Sequence, residues 1–113
     1  MAIDAWHWFR SSTPSDLTTL RTIPGAKVLA IQLDDAPADA EANLMSATLH
    51  RRLLPGEGAI DLIGFFQALK KIGYQDGVSP EPIGRIPKDM SAEEGARLGL
   101  TTGLAIMRKA GVA

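Results

Sequence analysis

Lys27-Val28-Leu29-Ala30-Ile31-Gln32-Leu33 is a nearly unbroken apolar run, and it limits the folds open to this chain more than any other stretch. Strict alternation of apolar and polar residues would mark a strand with one wet face. A continuous run marks a strand buried on both faces, the habit of parallel sheets. Parallel neighbours need a crossover between them, so helices are required on either side.

The flanking segments supply them. From Ile60 to Tyr74 the helix signals agree: Asp61 caps, Ile60 and Phe65 form a staple, and Leu62, Phe65, Phe66, Leu69 and Ile72 share one face. Lys70 and Lys71 complement the helix dipole and Gly73 ends the element. Ser91-Ala92-Glu93-Glu94 is a capping box that opens a last helix to about Lys109, closed by Gly111. Gly95, Gly99 and Gly103 recur along it. The favoured reading is a mediocre helix, losing up to roughly 1 kcal/mol per glycine and held by packing. The alternative is a smooth groove for a close contact.

Ahead of the apolar run, Asp4-Ala5-Trp6-His7-Trp8-Phe9 follows Met1-Ala2-Ile3, which is too short for a strand by itself and reads as the end of one. Thr13 as N-cap, Pro14 at the first helical position and Asp16 at the third predict a short helix from about Pro14 to Arg21, stopped by Pro24-Gly25. Behind the run, Gln32, Asp34 and Asp35 mark the strand end, and residues 36–58 are polar and alanine-rich, with one helical turn expected over Asn43 to Leu49. Connections this long are functional or flexible. Gly77 to Pro82 is a short strand whose two prolines suit an edge or a strand end. The order is strand end, helix, strand, long loop, helix, strand, helix, which means right-handed βαβ units and a parallel sheet.

Composition narrows the function. The 113 residues are 45% hydrophobic and 22% charged, enough for one globular domain with a core of its own. Twelve basic against 13 acidic residues, with no basic stripe, argue against nucleic acid as a partner. Cysteine is absent, which excludes disulfides and thiolate metal sites. No apolar run approaches membrane-spanning length and no leader pattern is present, so a cytoplasmic protein without a membrane partner is expected.

The chemistry-bearing residues sit at the ends of these elements. His50-Arg51-Arg52-Leu53-Leu54-Pro55-Gly56-Glu57-Gly58 joins charge to a Pro-Gly turn just before a helix. Taken alone it reads as a surface turn with solvated arginines. Asp4 alone is a turn acid and His7 an imidazole packed between Trp6 and Trp8. Glu81, between Pro80 and Pro82, is either exposed or paired with a cation.

In combination they say more. Asp4-x-x-His7, a buried strand ending Gln32-Leu33-Asp34-Asp35, Arg52-x-x-Pro55-Gly56-x-Gly58, Gly73-Tyr74 and Val78-Ser79-x-Glu81 occur in an order that resembles the xylose-isomerase-like TIM-barrel family. The resemblance runs over nearly all of residues 1–113, from the end of the sixth strand to the eighth helix, and implies an α/β fold. The chain is then the C-terminal part of a (β/α)8 TIM barrel, with two to three parallel strands and covering helices. Such barrels need about 250 residues and keep their sites at the C-terminal strand ends. A truncated form with open sheet edges, able to self-associate, is the corresponding expectation.

What the resemblance implies for function is a sugar or sugar-phosphate isomerase or epimerase, with a sugar or polyol as its small-molecule partner. A divalent metal, Mn or Mg, with Co or Zn as alternatives, would assist proton transfer next to a carbonyl. Asp4 and Glu81 match metal ligands, and Glu81 is also the catalytic base. His7 matches a substrate-contacting histidine, and Arg52 an arginine at the carbonyl end of the sugar, a role suited to a fork that does not titrate. Gln32 stands where many members have a metal-ligand histidine and is the third ligand candidate. Asp35 and Glu57 receive no role. A dehydratase of inositol-type ketones would use the same metal and base, and a non-catalytic α/β remnant is the reading from another class. A nuclease on this barrel would need several histidines and a phosphate-binding surface, against two histidines and no basic excess here.

Overall fold

Strand β2 (Ala30–Leu33) lies between β1 (Ala2–Asp4) and β3 (Val78–Pro80) and runs parallel to both, in a computed structural model that describes residues 1–11, 16–39 and 41–113. The register puts Asp4, Gln32 and Ser79 in one row across the sheet. Because side chains alternate along a strand, Asp34 and Glu81, two residues beyond Gln32 and Ser79, continue that face past the strand ends.

Helices α1 (Ala5–Ser11), α2 (Leu17–Leu20), α4 (Leu62–Lys71) and α5 (Ala92–Lys109) build the core with the sheet, and α3 (Leu44–His50) lies in the long β2–α4 connection. Ile31 and Leu33 are fully buried in a cluster with Phe65, Leu69 and Ile106. The expected burial of the 27–33 run on both faces is not found. Ala30 and Gln32 are only partly covered and Leu29 is 72% exposed, because the helical core covers the Ile31 and Leu33 face. Lys27 belongs to a 3-10 turn, so the strand starts three residues later than the apolar pattern implies.

The aromatic stretch after β1 is helical. Asp4 Oδ1 accepts a hydrogen bond from His7 N at 3.2 Å, and Asp34 Oδ1 accepts one from Trp6 N at 2.9 Å. These satisfy N–H groups that the first turn of a helix leaves without partners. Helix α2 starts at Leu17 with Asp16 as its N-cap, accepting from Thr19 N, and Asp16 is therefore not a first-turn residue. The expected Thr13 cap and Pro14 start lie outside the described residues.

Two capping expectations hold closely: Asp61 caps α4, and Ser91 with Glu94 forms the capping box of α5. The helical turn expected over Asn43 to Leu49 is found as α3, with Asn43 as its N-cap and the helix starting at Leu44. The glycines of α5 form the close contact of the groove reading, and that contact is also the packing that the favoured reading required. All three are buried, and a Cβ would meet Ile86 Cγ2 at 2.9 Å from Gly95, Pro80 Cβ at 3.1 Å from Gly99 and Leu33 Cδ2 at 3.3 Å from Gly103. The helix rests directly on β3 and on the end of β2. Among the described residues no helix is long and apolar enough to cross a membrane.

Residues 52–60 are not a free surface turn. Asp35 and Leu53 exchange two backbone hydrogen bonds of 2.9 Å, and the Asp35 carboxylate accepts from Ala36 N, Gly56 N and Ile60 N at 2.9–3.0 Å. Arg52, Leu54 and Pro55 are buried as a result. Gly58 passes so close to this strand end that a Cβ would lie 2.3 Å from Ala36 O and 2.5 Å from Asp35 Oδ1. Gly58→Ala is expected to cost about 1–3 kcal/mol through forced backbone shifts, read as a lower urea midpoint. An unchanged midpoint would show that the loop is not seated as described.

Candidate functional site

The Asp35–Leu53 bridge delivers Arg52 to the C-terminal end of the sheet. Its guanidinium has five N–H donors, and the surrounding chain engages all three nitrogens. Nη1 lies 2.5 Å from Asp34 Oδ2, 2.6 Å from Asp4 Oδ2 and 3.4 Å from Glu81 Oε2. Nη2 donates to Thr48 Oγ1 at 2.7 Å and lies 3.3 Å from His7 Nε2, while Nε donates to Thr48 O at 2.9 Å. The Trp6 ring flanks the guanidinium, its centre 5.5 Å from Cζ. Gln32 Nε2 donates to Glu81 Oε1 at 2.8 Å and closes the row.

Every site residue singled out in the sequence is therefore in one cluster. Arg52 is 4% exposed, which replaces the solvated-arginine reading of its loop, and Glu81 is paired with a cation. His7 is exposed and meets Trp6 edge-on instead of being packed between two tryptophans. A groove of about 540 Å³, bordered by Ile3, Asp4, His7, Trp8 and Leu20, opens beside it. Two members escaped the sequence reading. Asp34 is fully buried and could have been found by counting two residues on from Gln32; Thr48 stands four residues before Arg52, the spacing at which helical side chains meet.

Three carboxylates against one guanidinium leave the cluster short of positive charge. Burial, followed by the like charge of Asp4, pushes the Asp34 carboxyl up to about 7, although Arg52 and the Trp6 N–H pull it back. Burial works against the charge of Arg52, yet its hydrogen bond to Asp4 and the charges of Asp34 and Asp4 raise its pKa. Outside the cluster, Arg85 binds Glu57 through Nε and Nη2 at 2.9 and 2.7 Å, tying the segment after β3 to the Arg52 loop.

Asp4, Gln32 and Glu81 offer two carboxylates and an amide, hard donors of the kind a divalent cation takes, in a region with excess negative charge. Among the described residues, no three of His, Cys, Asp and Glu are grouped so that they could hold a metal ion. Two carboxylates and one amide are fewer donors than a full shell for such a cation.

A carboxyl raised in the folded state is protonated there before it is in the unfolded chain. Its contribution favours folding most below about pH 4 and is lost as pH rises toward about 7. Asp34→Asn removes that loss, so, whatever the variant's absolute stability, the difference from the native chain should move in the variant's favour as pH rises from about 4 to about 7. Urea midpoints measured at both ends of the window check this, and parallel changes in the two proteins would refute it.

Comparison with known proteins agrees with this fold. The family model described as "Xylose isomerase-like TIM barrel" matches residues 1–102. An inosose isomerase of Bacillus subtilis (strain 168) is 28% identical over 109 residues, which is 96% of this chain and 37% of that protein. A 3-dehydroshikimate dehydratase of Pseudomonas putida is 33% identical over 79 residues, 70% of this chain and 12% of that protein. The crystal structure of the IolI protein with a bound zinc atom superposes with a TM-score of 0.81 at 30% identity, over 96% of this chain and 37% of that one. The chain thus spans little more than a third of the inosose isomerase, and its three parallel strands form part of a barrel. It belongs to the xylose isomerase-like TIM-barrel family.

Proposed function

We propose that residues 1–113 carry the segment from the sixth strand to the eighth helix of a sugar or polyol isomerase or epimerase site, acting by proton transfer next to a carbonyl. The observation behind this reading is the meeting of Asp4, Glu81, His7 and Arg52 at the C-terminal ends of adjacent parallel strands, where barrels of this kind do their chemistry. The inosose isomerase match supports a cyclic polyol ketone as substrate class.

Glu81 is the base. Its side chain is one-third exposed and its contact to Arg52 is the longest of the three, so it can turn toward a substrate carbon and take its proton. Arg52 steadies the carbonyl oxygen on which negative charge develops, and the exposed His7 orients a neighbouring hydroxyl. Asp4, Glu81 and Gln32 would hold a Mn, Mg, Co or Zn ion, and the ion when bound would polarise the carbonyl. The dehydratase match favours a close variant, in which the same proton removal is followed by loss of a β-hydroxyl.

The test is solvent exchange. With Mn²⁺ and an inosose in D₂O, the protein should exchange the C–H beside the carbonyl, and Glu81→Gln should slow this by about 100-fold or more. Equal rates in the two proteins would remove Glu81 from the role.

The outer edges of β1 and β3 support a second, non-catalytic reading, self-association through the sheet. Size-exclusion chromatography should then show a species heavier than the 12.1 kDa chain, and a monomer at high micromolar concentration would overturn this.

A further inference from the structure

The contacts of Arg52 fall into two groups. Asp34 Oδ2, Asp4 Oδ2, Thr48 O and Thr48 Oγ1 all lie within 2.9 Å of it, whereas Glu81 Oε2 and His7 Nε2 stand at 3.4 and 3.3 Å. The short group includes both residues to which no functional role has been given. Asp34 is fully buried, and its second oxygen is engaged by Trp6 N, so the carboxylate cannot turn without breaking one bond or the other. Thr48 grips from the opposite side with two oxygens. Its carbonyl is in the last turn of α3, where helix carbonyls lack intrahelical partners, and the Arg52 Nε–H satisfies it. The long group consists of the two more accessible side chains.

We propose that Asp34 and Thr48 are positioning residues, a two-sided clamp that fixes the pose of Arg52 and leaves Glu81 and His7 as its exchangeable partners. Neither has to touch a bound molecule. Arg52 then presents a cation already in place, and a ligand oxygen displaces two weak contacts instead of reorganising a buried ion pair. The use made of the clamp rests on Arg52 facing substrate, as proposed above; its existence does not.

Side-chain ¹⁵N NMR of the ligand-free chain reads the clamp directly, with the Arg52 resonances assigned by Arg52→Lys. In the native chain its guanidinium N–H groups should be resolved and slow to exchange with water. Thr48→Val should speed that exchange by about 10-fold or more, as expected for losing a hydrogen bond to a charged group, and Thr48→Ser should restore it. Asp34→Asn should loosen Arg52 in the same way, while Glu81→Gln leaves it near native. Backbone spectra report the fold of each variant, and Thr48→Val decides the matter if Asp34→Asn does not fold. Slow exchange persisting in Thr48→Val would overturn the proposal, as would Glu81→Gln freeing Arg52 to the same extent. No substrate or metal is added, so failure of the isomerase reading and failure of the clamp are separate results.

Discussion

A buried guanidinium must be surrounded by acceptors, and the Arg52 site shows how much of a small fold that demand can organise. Its partners come from the end of β1, the first turn of α1, the residue after β2, the last turn of α3 and the residue after β3. Pairing with Asp4 and Asp34 offsets the cost of desolvating the charge, whereas either anion alone at that depth would be strongly disfavoured. Three carboxyl groups share this one guanidinium, and burial raises the pKa of the deepest, Asp34. Stability alone would be served as well by apolar packing of the same volume.

Getting Arg52 into place is the task of its neighbour in the fold, Asp35. Adjacent residues on a strand end point to opposite sides, so Asp34 reaches the guanidinium while Asp35 gathers the amides of the Pro-Gly-x-Gly loop. One carboxylate shapes the loop and the next receives its side chain. The Glu57–Arg85 pair adds an exposed tie between that loop and the segment following Glu81. Exposed pairs contribute little energy, and its value is in register between two loops that carry facing groups.

Local chemistry made the helices of the second half legible, since Asn43, Asp61 and Ser91 cap them through their own side chains. Helix α1 was less readable because part of its capping is tertiary. Helix α1 draws on Asp34, 28 residues from Trp6, and nothing within residues 5–11 announces that donation. The glycines of α5 were only half legible for a related reason. Propensity measures what a glycine costs an isolated helix and says nothing of Pro80 and Leu33, which occupy the space it opens. Motif order singled out the candidate residues, but their mutual arrangement was not legible: spacing placed Arg52 beside a turn, and only the Asp35–Leu53 bridge carries it inward.

The split between short and long contacts on Arg52 bears on how such a site can be both stable and reactive. Buried ion pairs hold best when every donor is engaged, yet a group that meets substrate must have something to give up. Here the short contacts of the guanidinium are committed to Asp34, Asp4 and Thr48, and the contacts to Glu81 and His7 on the same nitrogens are longer. Exchanging those contacts for ligand oxygens leaves the anchoring bonds intact. Under the proposed reading it also frees the Glu81 carboxylate to act as the base, so one guanidinium would fix the geometry of the site and still release Glu81.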